Sequence, residues 1–328
     1  MKFNIYHTGS LSDKKFLITG GAGFIGSNLV EYLVQHQALK VRILDNLSLG
    51  SKDNIREFLS LPNVEFLEGD IRDFETCKTA VNDVDFVLHQ AALGSVPRSI
   101  DDPLTTNEVN VNGFLNMLEA SRLTGIKRFV YAASSSTYGD SPILPKQEDL
   151  IGKPLSPYAV TKYVNELYAQ VYSSIYGFHS VGLRYFNVFG PKQNVNGAYA
   201  AVIPLFVAAM LKGEHPIING NGINSRDFTF VSNVVQANIK SVFADTIKQH
   251  TVLNIAFGGQ TSLTSLVDAI NKRLNTEINP TFRDPRKGDV QHSFADVSRA
   301  SEVIGYQPEV SFEEGIAKTV DFFQQKIQ

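Results

Sequence analysis

The chain has 328 residues, of which 43% are apolar and 19% are charged, and its formal net charge is −3 at pH 7. Such a chain is long enough for one large two-lobed globular domain or two closely packed ones. The absence of a basic excess argues against nucleic acid as a partner. The single cysteine, Cys77, excludes an internal disulfide and a cysteine-based metal site, and it suits a cytoplasmic location.

Neither a signal peptide nor a membrane span is expected. The first fifteen residues lack the continuous apolar stretch of a secretory signal. The longest apolar run, residues 198–211, is shorter than the roughly 20 residues that cross a bilayer, and it contains Pro204. We therefore expect no membrane partner.

Short apolar runs alternate with helical stretches through the first half of the chain. Strands are predicted at 16–20, 41–45, 64–70, 85–92, 128–135 and 179–186, with helices near 24–36, 51–60, 73–81, 103–124 and 157–176. The strands are nearly continuously apolar, which is typical of strands covered on both faces. This order predicts an α/β fold with a doubly wound, parallel Rossmann-type sheet and right-handed crossovers.

Beyond about residue 190 the strict alternation is lost, which indicates a smaller C-terminal α/β lobe. We expect a Rossmann domain over 1–189, to which segments near 228–258 return, and a mainly substrate-binding lobe over 190–328. The helix near 157–176 should begin at Ser156 and Pro157 and end at Gly177. A final helix should open with a capping box at "SFEE".

A glycine-rich turn follows the first strand and opens the first helix. Gly20, Gly23 and Gly26 stand three apart, and Asp45 ends the second strand about twenty residues later. Such glycines let backbone amides approach a pyrophosphate, and the acid accepts hydrogen bonds from ribose hydroxyls. A carboxylate also repels an added phosphate, so the pattern favours NAD over NADP. Asp70, at the end of the third strand, is predicted to meet the adenine or to cap the next helix.

The stretch "SPYAVTK" places Tyr158 four residues before Lys162, on one face of a helix. A neighbouring ammonium favours the phenolate, and the cationic nicotinamide ring adds to this effect. Lowering the pKa of a phenol from about 10 to about 7 takes roughly 4 kcal/mol. The serines of "AASSSTYGD" follow the fifth strand, at the edge where doubly wound sheets bind ligands. The combination predicts a tyrosine base acting on a substrate hydroxyl beside NAD.

The motifs together resemble the extended short-chain dehydrogenase/reductases over nearly the whole chain. The sequences "TGGAGFIG", "DNLS", "GDIRD", "HQAA", "NVNG", "SSSTYGD", "YAVTK", "RYFNVFGP" and "SRDFTFV" occur in the family's order. Within that family, "HQAALGSVPRS" and "LSPYAVTKYVNELYAQVY" resemble the bacterial UDP-N-acetylglucosamine 4-epimerases of polysaccharide biosynthesis. The resemblance implies NAD-dependent 4-epimerisation of UDP-N-acetylglucosamine and UDP-N-acetylgalactosamine through a 4-keto intermediate.

The resemblance also implies roles for single residues. Tyr158 would be the base, Lys162 its tuner and a ligand of the nicotinamide ribose, and Ser134 the catalytic hydroxyl. No metal is expected, because the histidines show no close-spaced ligand pair. The further implied NAD-binding positions are Gly20, Gly23, Phe24, Ile25, Gly26, Asp45, Asn46, Asp70, Ile71, Gln90, Ala91, Ala92, Asn110 and Tyr185.

A UDP-sugar site is implied at the other side of the cleft. Asn187 would hold the diphosphate side, and Arg226 and Arg286 would pair with the phosphates, which a guanidinium fork matches. The further implied substrate-binding positions are Gly94, Ser95, Ser134, Ser135, Ser136, Gln193, Ala201, Val202 and Ser293.

Two positions depart from the related UDP-galactose epimerases. Gly94 stands where those enzymes carry a lysine, and Ser293 stands where a bulky tyrosine is found. A small serine leaves space beside sugar carbon 2 for an acetamido group. Removing a wall does little to exclude a smaller substrate, so residual activity on UDP-glucose and UDP-galactose is expected.

Three other functions remain open. Very similar sequences act on UDP-N-acetylhexosaminuronic acids, and no residue decides between the two substrates. A nucleotide-sugar 4,6-dehydratase is disfavoured, because Ser135 and Ser136 stand where such enzymes have an adjacent Asp–Glu. A non-catalytic NAD-sensing scaffold is disfavoured by the presence of both Tyr158 and Lys162.

The family likeness suggests a homodimer, in which the helices near 103–124 and 157–176 form a four-helix bundle with their copies. Leu167, Val171 and Tyr172 recur at helical spacing on the second helix. The same spacing is compatible with packing inside one subunit.

Overall fold

The computed structural model describes residues 1–195, 200–284 and 292–327. Its strands are β1 Lys15–Thr19, β2 Lys40–Asp45, β3 Val64–Glu68, β4 Phe86–His89, β5 Arg128–Ser134, β6 Ser180–Tyr185, β7 Val188–Phe189, β8 Ile217–Asn219, β9 Ser225–Arg226, β10 Thr229–Phe230, β11 Thr251–Ile255, β12 Thr261–Ser262, β13 Thr281–Arg283 and β14 His292–Ser293. Its α-helices are α1 Phe24–Gln35, α2 Phe74–Val81, α3 Val96–Asp101, α4 Pro103–Asn107, α5 Phe114–Thr124, α6 Pro157–Tyr176, α7 Val202–Leu211, α8 Val231–Phe243, α9 Leu263–Leu274, α10 Ser298–Ile304 and α11 Phe312–Ile327.

Seven parallel strands form the central sheet, in the order β11-β6-β5-β4-β1-β2-β3. The predicted α/β class and parallel sheet are thereby confirmed. The order reverses between β1 and β4, and ligands of doubly wound folds bind beyond the carboxyl ends of the strands at such a point. This edge is therefore where functional side chains are expected.

Helices cover both faces of the sheet, and the alternating side chains of β1 show why. Phe16 and Ile18 join a core with α1 and α8, whereas Leu17 joins the opposite core with α2 and α5. All three side chains are fully buried. A strand covered on both faces tends to be continuously apolar, as the three central residues of β1 are.

Two predicted helices differ from the structure. Residues 51–60 form only short 3₁₀ turns, Lys52–Asn54 and Arg56–Phe58, because the Ser51 amide and the Asn54 side chain both donate to the carbonyl of Ala22. The segment 103–124 contains a π-helical turn, Glu108–Gly113, between α4 and α5. Such turns are frequent at functional sites, and this one carries Asn110.

The C-terminal lobe has its own core between α7, α9 and α11. The Ser311 half of the predicted capping box is present, since the Glu314 amide donates to Ser311 Oγ at 3.2 Å, whereas the Glu314 side chain pairs with Lys318. Helix α8 packs against α1, and β11 pairs with β6, so residues 231–255 lie within the larger unit. The domain limits at 189 and 190 stay a prediction.

Candidate active site

A cavity of about 840 Å³ lies along the carboxyl edge of the central sheet. Its wall brings together residues from the ends of β1 to β6 with others from the C-terminal lobe. The sequence-predicted residues in this wall are Gly20, Gly23, Phe24, Ile25, Gly26, Asp45, Asn46, Asp70, Ile71, Gln90, Ala91, Ala92, Gly94, Ser134, Tyr158, Lys162, Tyr185, Gln193 and Ala201.

The glycine turn is closed too tightly for side chains. Gly20 has φ +66°, and a Cβ there would lie 2.8 Å from the amide nitrogen of Ala91. A Cβ on Gly26 would collide with the Gly20 carbonyl oxygen. Any larger residue would push helix α1 away from the turn, so these glycines keep the amides at the helix start beside the cavity. This cradle fits a pyrophosphate.

The two acids at the adenosine end differ in their surroundings. Asp45 is buried, and its carboxylate accepts hydrogen bonds from the amides of Ala22 at 2.9 Å and Leu47 at 2.8 Å. Burial raises the pKa of Asp45, and these amides act in the opposite direction. Hydrogen bonds from Arg72, followed by a smaller effect from Asn46, hold the pKa of Asp70 at about 2. Asp73, not Asp70, caps α2.

The hydroxyl, phenol and ammonium predicted for catalysis meet at the other end. Ser134 is the last residue of β5, while Tyr158 and Lys162 lie in the first two turns of α6. Helix α6 begins where predicted, since Ser156 Oγ accepts from the Ala159 amide at 3.1 Å. Lys162 Nζ donates to the Ala132 carbonyl at 2.9 Å and lies 6.0 Å from the Tyr158 ring centroid.

Burial dominates the protonation of this group. It raises the pKa of Tyr158, and a hydrogen bond with Ser134 acts in the opposite direction. Burial also lowers the pKa of Lys162 to about 8. The direction for Tyr158 is opposite to the one expected from Lys162 and nicotinamide together, because desolvation penalises the phenolate inside the chain.

A polar triangle joins two residues of the cavity wall, Gln90 and Tyr185, to Asn238, which sequence reasoning missed. Tyr185 Oη donates to Gln90 Oε1 at 3.1 Å, Gln90 Nε2 donates to Asn238 Oδ1 at 3.1 Å, and Asn238 Nδ2 donates to Tyr185 Oη at 2.8 Å. Gln90 and Tyr185 were predicted, but Asn238 lies on α8, far along the chain and outside any motif. The triangle fixes the orientation of both wall residues.

Two predicted binding residues, Asn110 and Ser95, lie outside the cavity wall and instead hold residues that line it. Asn110 holds the Leu93 backbone with hydrogen bonds of 2.8 and 3.1 Å, and it also donates to Thr161. Ser95 caps α3 by accepting from the Arg98 amide at 3.2 Å. Leu93 and Arg98 themselves line the cavity, although neither was predicted to do so.

The serines after β5 are organised around Ser134. Ser136 donates to Ser134 Oγ from its amide at 3.1 Å and from its hydroxyl at 2.8 Å. Ser135 begins the 3₁₀ turn that follows. Within the described chain, Ser134 alone of these three serines belongs to the cavity wall.

Four described residues from the C-terminal half of the chain that were predicted to bind the diphosphate or the sugar do not line the cavity. Asn187 donates to the Asp227 carbonyl at 3.1 Å. Arg226 on β9 pairs in register with Ser293 on β14, and Val202 begins α7. Among the described residues these four lie outside the cavity wall, and Arg286 falls outside the described ranges.

Other sequence expectations concern metals and membranes. Within residues 1–195, 200–284 and 292–327 no cluster of three or more His, Cys, Asp or Glu side chains is placed to hold a metal ion. No helix in the same ranges is long and apolar enough for a bilayer. His89 is buried and shares a 2.8 Å hydrogen bond with Thr19, so it is a packed residue of the core.

Comparisons with known proteins agree with this geometry. The family model described as GDP-mannose 4,6 dehydratase matches residues 17–319. The UDP-glucose 4-epimerase of Mycolicibacterium smegmatis is 38% identical over 95% of this chain and 99% of its own length.

Two solved structures are also similar. The UDP-N-acetylglucosamine 4-epimerase of Methanobrevibacter ruminantium, in complex with UDP-N-acetylmuramic acid, is 39% identical with a TM-score of 0.91, over 96% of this chain and 99% of that one. A Thermus thermophilus UDP-glucose 4-epimerase in complex with NAD is 34% identical with a TM-score of 0.85, over 94% and 99% of the two chains.

Proposed function

This chain belongs to the NAD-dependent nucleotide-sugar epimerases and dehydratases of the extended short-chain dehydrogenase/reductase family, and from that premise we propose that it interconverts UDP-N-acetylglucosamine and UDP-N-acetylgalactosamine. The family resemblance of the motifs is thereby confirmed. The coarser activity, a nucleotide-sugar 4-epimerase that uses NAD, follows from the similar proteins and their NAD complex. The acetylated sugars are the proposal.

One observation carries the chemistry. Ser134, Tyr158 and Lys162 line the same cavity as the glycine turn and Asp45. The residues that can deprotonate a substrate hydroxyl therefore lie beside the residues that can bind a dinucleotide, at the switch point of the sheet. The residues fit NAD, because the closed glycine turn leaves amides for the pyrophosphate and Asp45 stands at the ribose end.

The catalytic cycle begins with Tyr158, which as phenolate removes the proton from the 4-hydroxyl of the sugar, with Ser134 bonded to the same oxygen. NAD held by the glycine turn and Asp45 would supply the acceptor for hydride from carbon 4 and the donor that returns it to the opposite face of the 4-keto sugar. Tyr158 then reprotonates the oxygen, and the configuration at carbon 4 is inverted. The UDP group stays bound in the C-terminal lobe while the 4-keto sugar rotates and presents its other face.

The protonation state of Tyr158 depends on the assembled site. Burial raises the pKa of the phenol in the chain alone and Ser134 acts in the opposite direction, and the positive nicotinamide ring would add a further lowering influence when NAD is bound. The ammonium of Lys162 is held in place beside Tyr158, because it donates a hydrogen bond to the Ala132 carbonyl on β5.

The preference for acetylated sugars rests on small residues. Gly94 is part of the cavity wall, and a Cβ there would meet nothing within 4 Å, so the wall is open at this position. Ser293 lies in register with Arg226, one of the proposed phosphate ligands. A UDP-N-acetylglucosamine 4-epimerase is among the similar proteins, at 39% identity, beside a UDP-glucose 4-epimerase at 38%.

A homodimer is also proposed, from an exposed apolar face on α6. Leu167 and Val171 are 49% and 47% exposed, and Ile175 is 68% exposed. Exposed apolar stripes of this extent are typical of interfaces. Tyr172, predicted to share this face, instead packs partly against the core between α5 and α6.

The experiment is an assay of the purified protein without added cofactor. UDP-N-acetylglucosamine, UDP-glucose and UDP-N-acetylglucosaminuronic acid are incubated separately, and the products are identified by proton NMR. We expect the galacto epimer to form fastest from UDP-N-acetylglucosamine and slowly from UDP-glucose. Faster conversion of the uronic acid would overturn the substrate assignment, and loss of water from carbons 5 and 6 would assign a dehydratase.

A further inference from the structure

The segment after β7, residues 190–195, leads from the sheet edge into the cavity. Lys192, Gln193, Asn194 and Val195 all belong to the cavity wall. Gln193 Nε2 donates to the Val188 carbonyl at 3.2 Å, which turns Oε1 the other way. That oxygen is buried, and no described residue donates to it. With this acceptor unsatisfied, the position of the segment depends on the contacts that its other residues make.

Helix α1, which starts at the glycine turn, contacts this segment through two side chains. Asn28 Nδ2 donates to the Pro191 carbonyl at 3.3 Å, and Lys192 Nζ pairs with Glu31 at 2.8 Å. Asn28 and Glu31 are three residues apart and thus share a face of α1. The cofactor helix and the segment that carries Gln193 are therefore joined by two adjacent side-chain contacts.

We call the two contacts between α1 and this segment the latch, which consists of Asn28, Glu31, Pro191 and Lys192. The ion pair of the latch is shielded from water. The side chains of Lys192 and Glu31 are 11% and 6% exposed. The Lys192 ammonium also lies 5.2 Å from the ring centroid of Phe58. Removing one partner of a buried pair leaves the other charge uncompensated, so the pair constrains the backbone of Lys192 far more than a surface pair would.

Other polar groups surround the pair, and Glu57 carries a further charge near Lys192 and the amino group of Met1. Glu31 also contacts the amino group of Met1 and accepts from Gln35 at 3.3 Å. The backbone of Lys192 is left-handed, with φ +70°, which a lysine adopts only when its surroundings hold it there. Glu31 and Phe58 contact the ammonium of Lys192.

We propose that Glu31 and Lys192 are positioning residues, which hold residues 192–195 of the cavity wall against the sugar nucleotide and so couple the cofactor helix to substrate binding. The inference rests on the proposed function for the identity of the ligand. Neither residue takes part in the chemistry, so their loss should weaken binding of the nucleotide and leave the saturated rate nearly unchanged.

The test uses the full-length enzyme with its bound NAD and compares Glu31→Gln, Lys192→Met, the double variant and Lys192→Arg. UDP affinity is measured by calorimetry, and KM and kcat with UDP-N-acetylglucosamine. We expect each neutralising single variant to weaken UDP binding and raise KM about tenfold, which corresponds to about 1.4 kcal/mol. The turnover number should stay within about twofold, the range in which a transition-state interaction is not involved.

Non-additivity is the decisive feature. The double variant should be no weaker than either single variant, and Lys192→Arg should bind UDP nearly as wild type does. The matched control is Glu314→Gln, which removes an exposed pair with Lys318 and should change neither constant. Weak binding by Lys192→Met with normal binding by Glu31→Gln would mean that Lys192 contacts the phosphates directly, and the proposal would be wrong.

Hydrogen exchange separates the latch from the proposed function. In Glu31→Gln the amides of residues 188–195 should exchange faster than in wild type, while those of β1 should not change. Unchanged exchange in that segment would overturn the latch, even if the variant unfolds at a lower temperature. A wild-type enzyme that binds no UDP would instead overturn the proposed substrate, and the exchange result would still decide the latch.

Discussion

Replacing Tyr158 by phenylalanine removes one oxygen atom from the centre of the site. The lost hydrogen bond with Ser134 should cost about 1 kcal/mol of stability, because Ser134 Oγ retains its contacts with Ser136. The wall that faces NAD keeps its shape. We therefore expect a folded protein that retains its cofactor.

Turnover should behave differently. A positioned base contributes roughly 10²–10⁴-fold to the rate, so Tyr158→Phe should lose about 3–5 kcal/mol of transition-state stabilisation. Initial rates with UDP-N-acetylglucosamine give kcat, and the nucleotide released on denaturation gives the NAD content. Tyr168→Phe is the matched control, because Tyr168 lies on the same helix but is exposed to solvent. A kcat for Tyr158→Phe within about tenfold of wild type would refute the role of this residue as base.

Four further predictions concern other parts of the molecule. Gly26→Ala should lose most of its bound NAD, because the added methyl group meets the Gly20 carbonyl; a normal NAD content after purification would contradict this. Ser293→Tyr should lower activity on UDP-N-acetylglucosamine and spare UDP-glucose; if the rates on both sugars fall equally, the steric argument fails. Burial lowers the pKa of His89 to about 3, so the unfolded chain binds a proton that the folded protein excludes, and stability falls as the pH falls below about 6.5. Denaturant titrations should show that His89→Asn loses about 2 kcal/mol less than wild type between pH 6.5 and pH 5, and identical losses would show that His89 takes up its proton in the folded state. Leu167→Asp should sediment as a monomer where wild type sediments as a dimer, and a dimeric variant would exclude this face as the interface.

Much of the fold could be predicted because its determinants are local. Strand β1 is apolar at consecutive positions since both faces are covered, and helix α6 carries its own start and stop at Ser156 and Gly177. The glycine turn is equally local, because its close contacts involve Gly20, Gly26 and the strand end beside them. Such features leave a signal within a few residues of sequence.

The remainder depends on contacts between distant segments. The segment 51–60 has helical composition, but its hydrogen bonds go to Ala22 in the glycine turn. Asn238 completes the polar triangle from α8, and Glu31 meets Lys192 across 161 positions of sequence. Neither contact belongs to a motif. The pKa of Tyr158 in the chain alone is raised because the side chain is buried. The spacing of Tyr158 and Lys162 on a helix does not reveal this burial.

The most direct measurement follows the hydrogen at carbon 4. UDP-N-acetylglucosamine with deuterium at that carbon is converted by the purified enzyme, without added cofactor, in ordinary water. Hydride that leaves for enclosed NAD and returns from it keeps the isotope, so the galacto product should carry deuterium at carbon 4. A product that contains protium there would mean that the hydrogen passes through solvent, which contradicts epimerisation by transient oxidation.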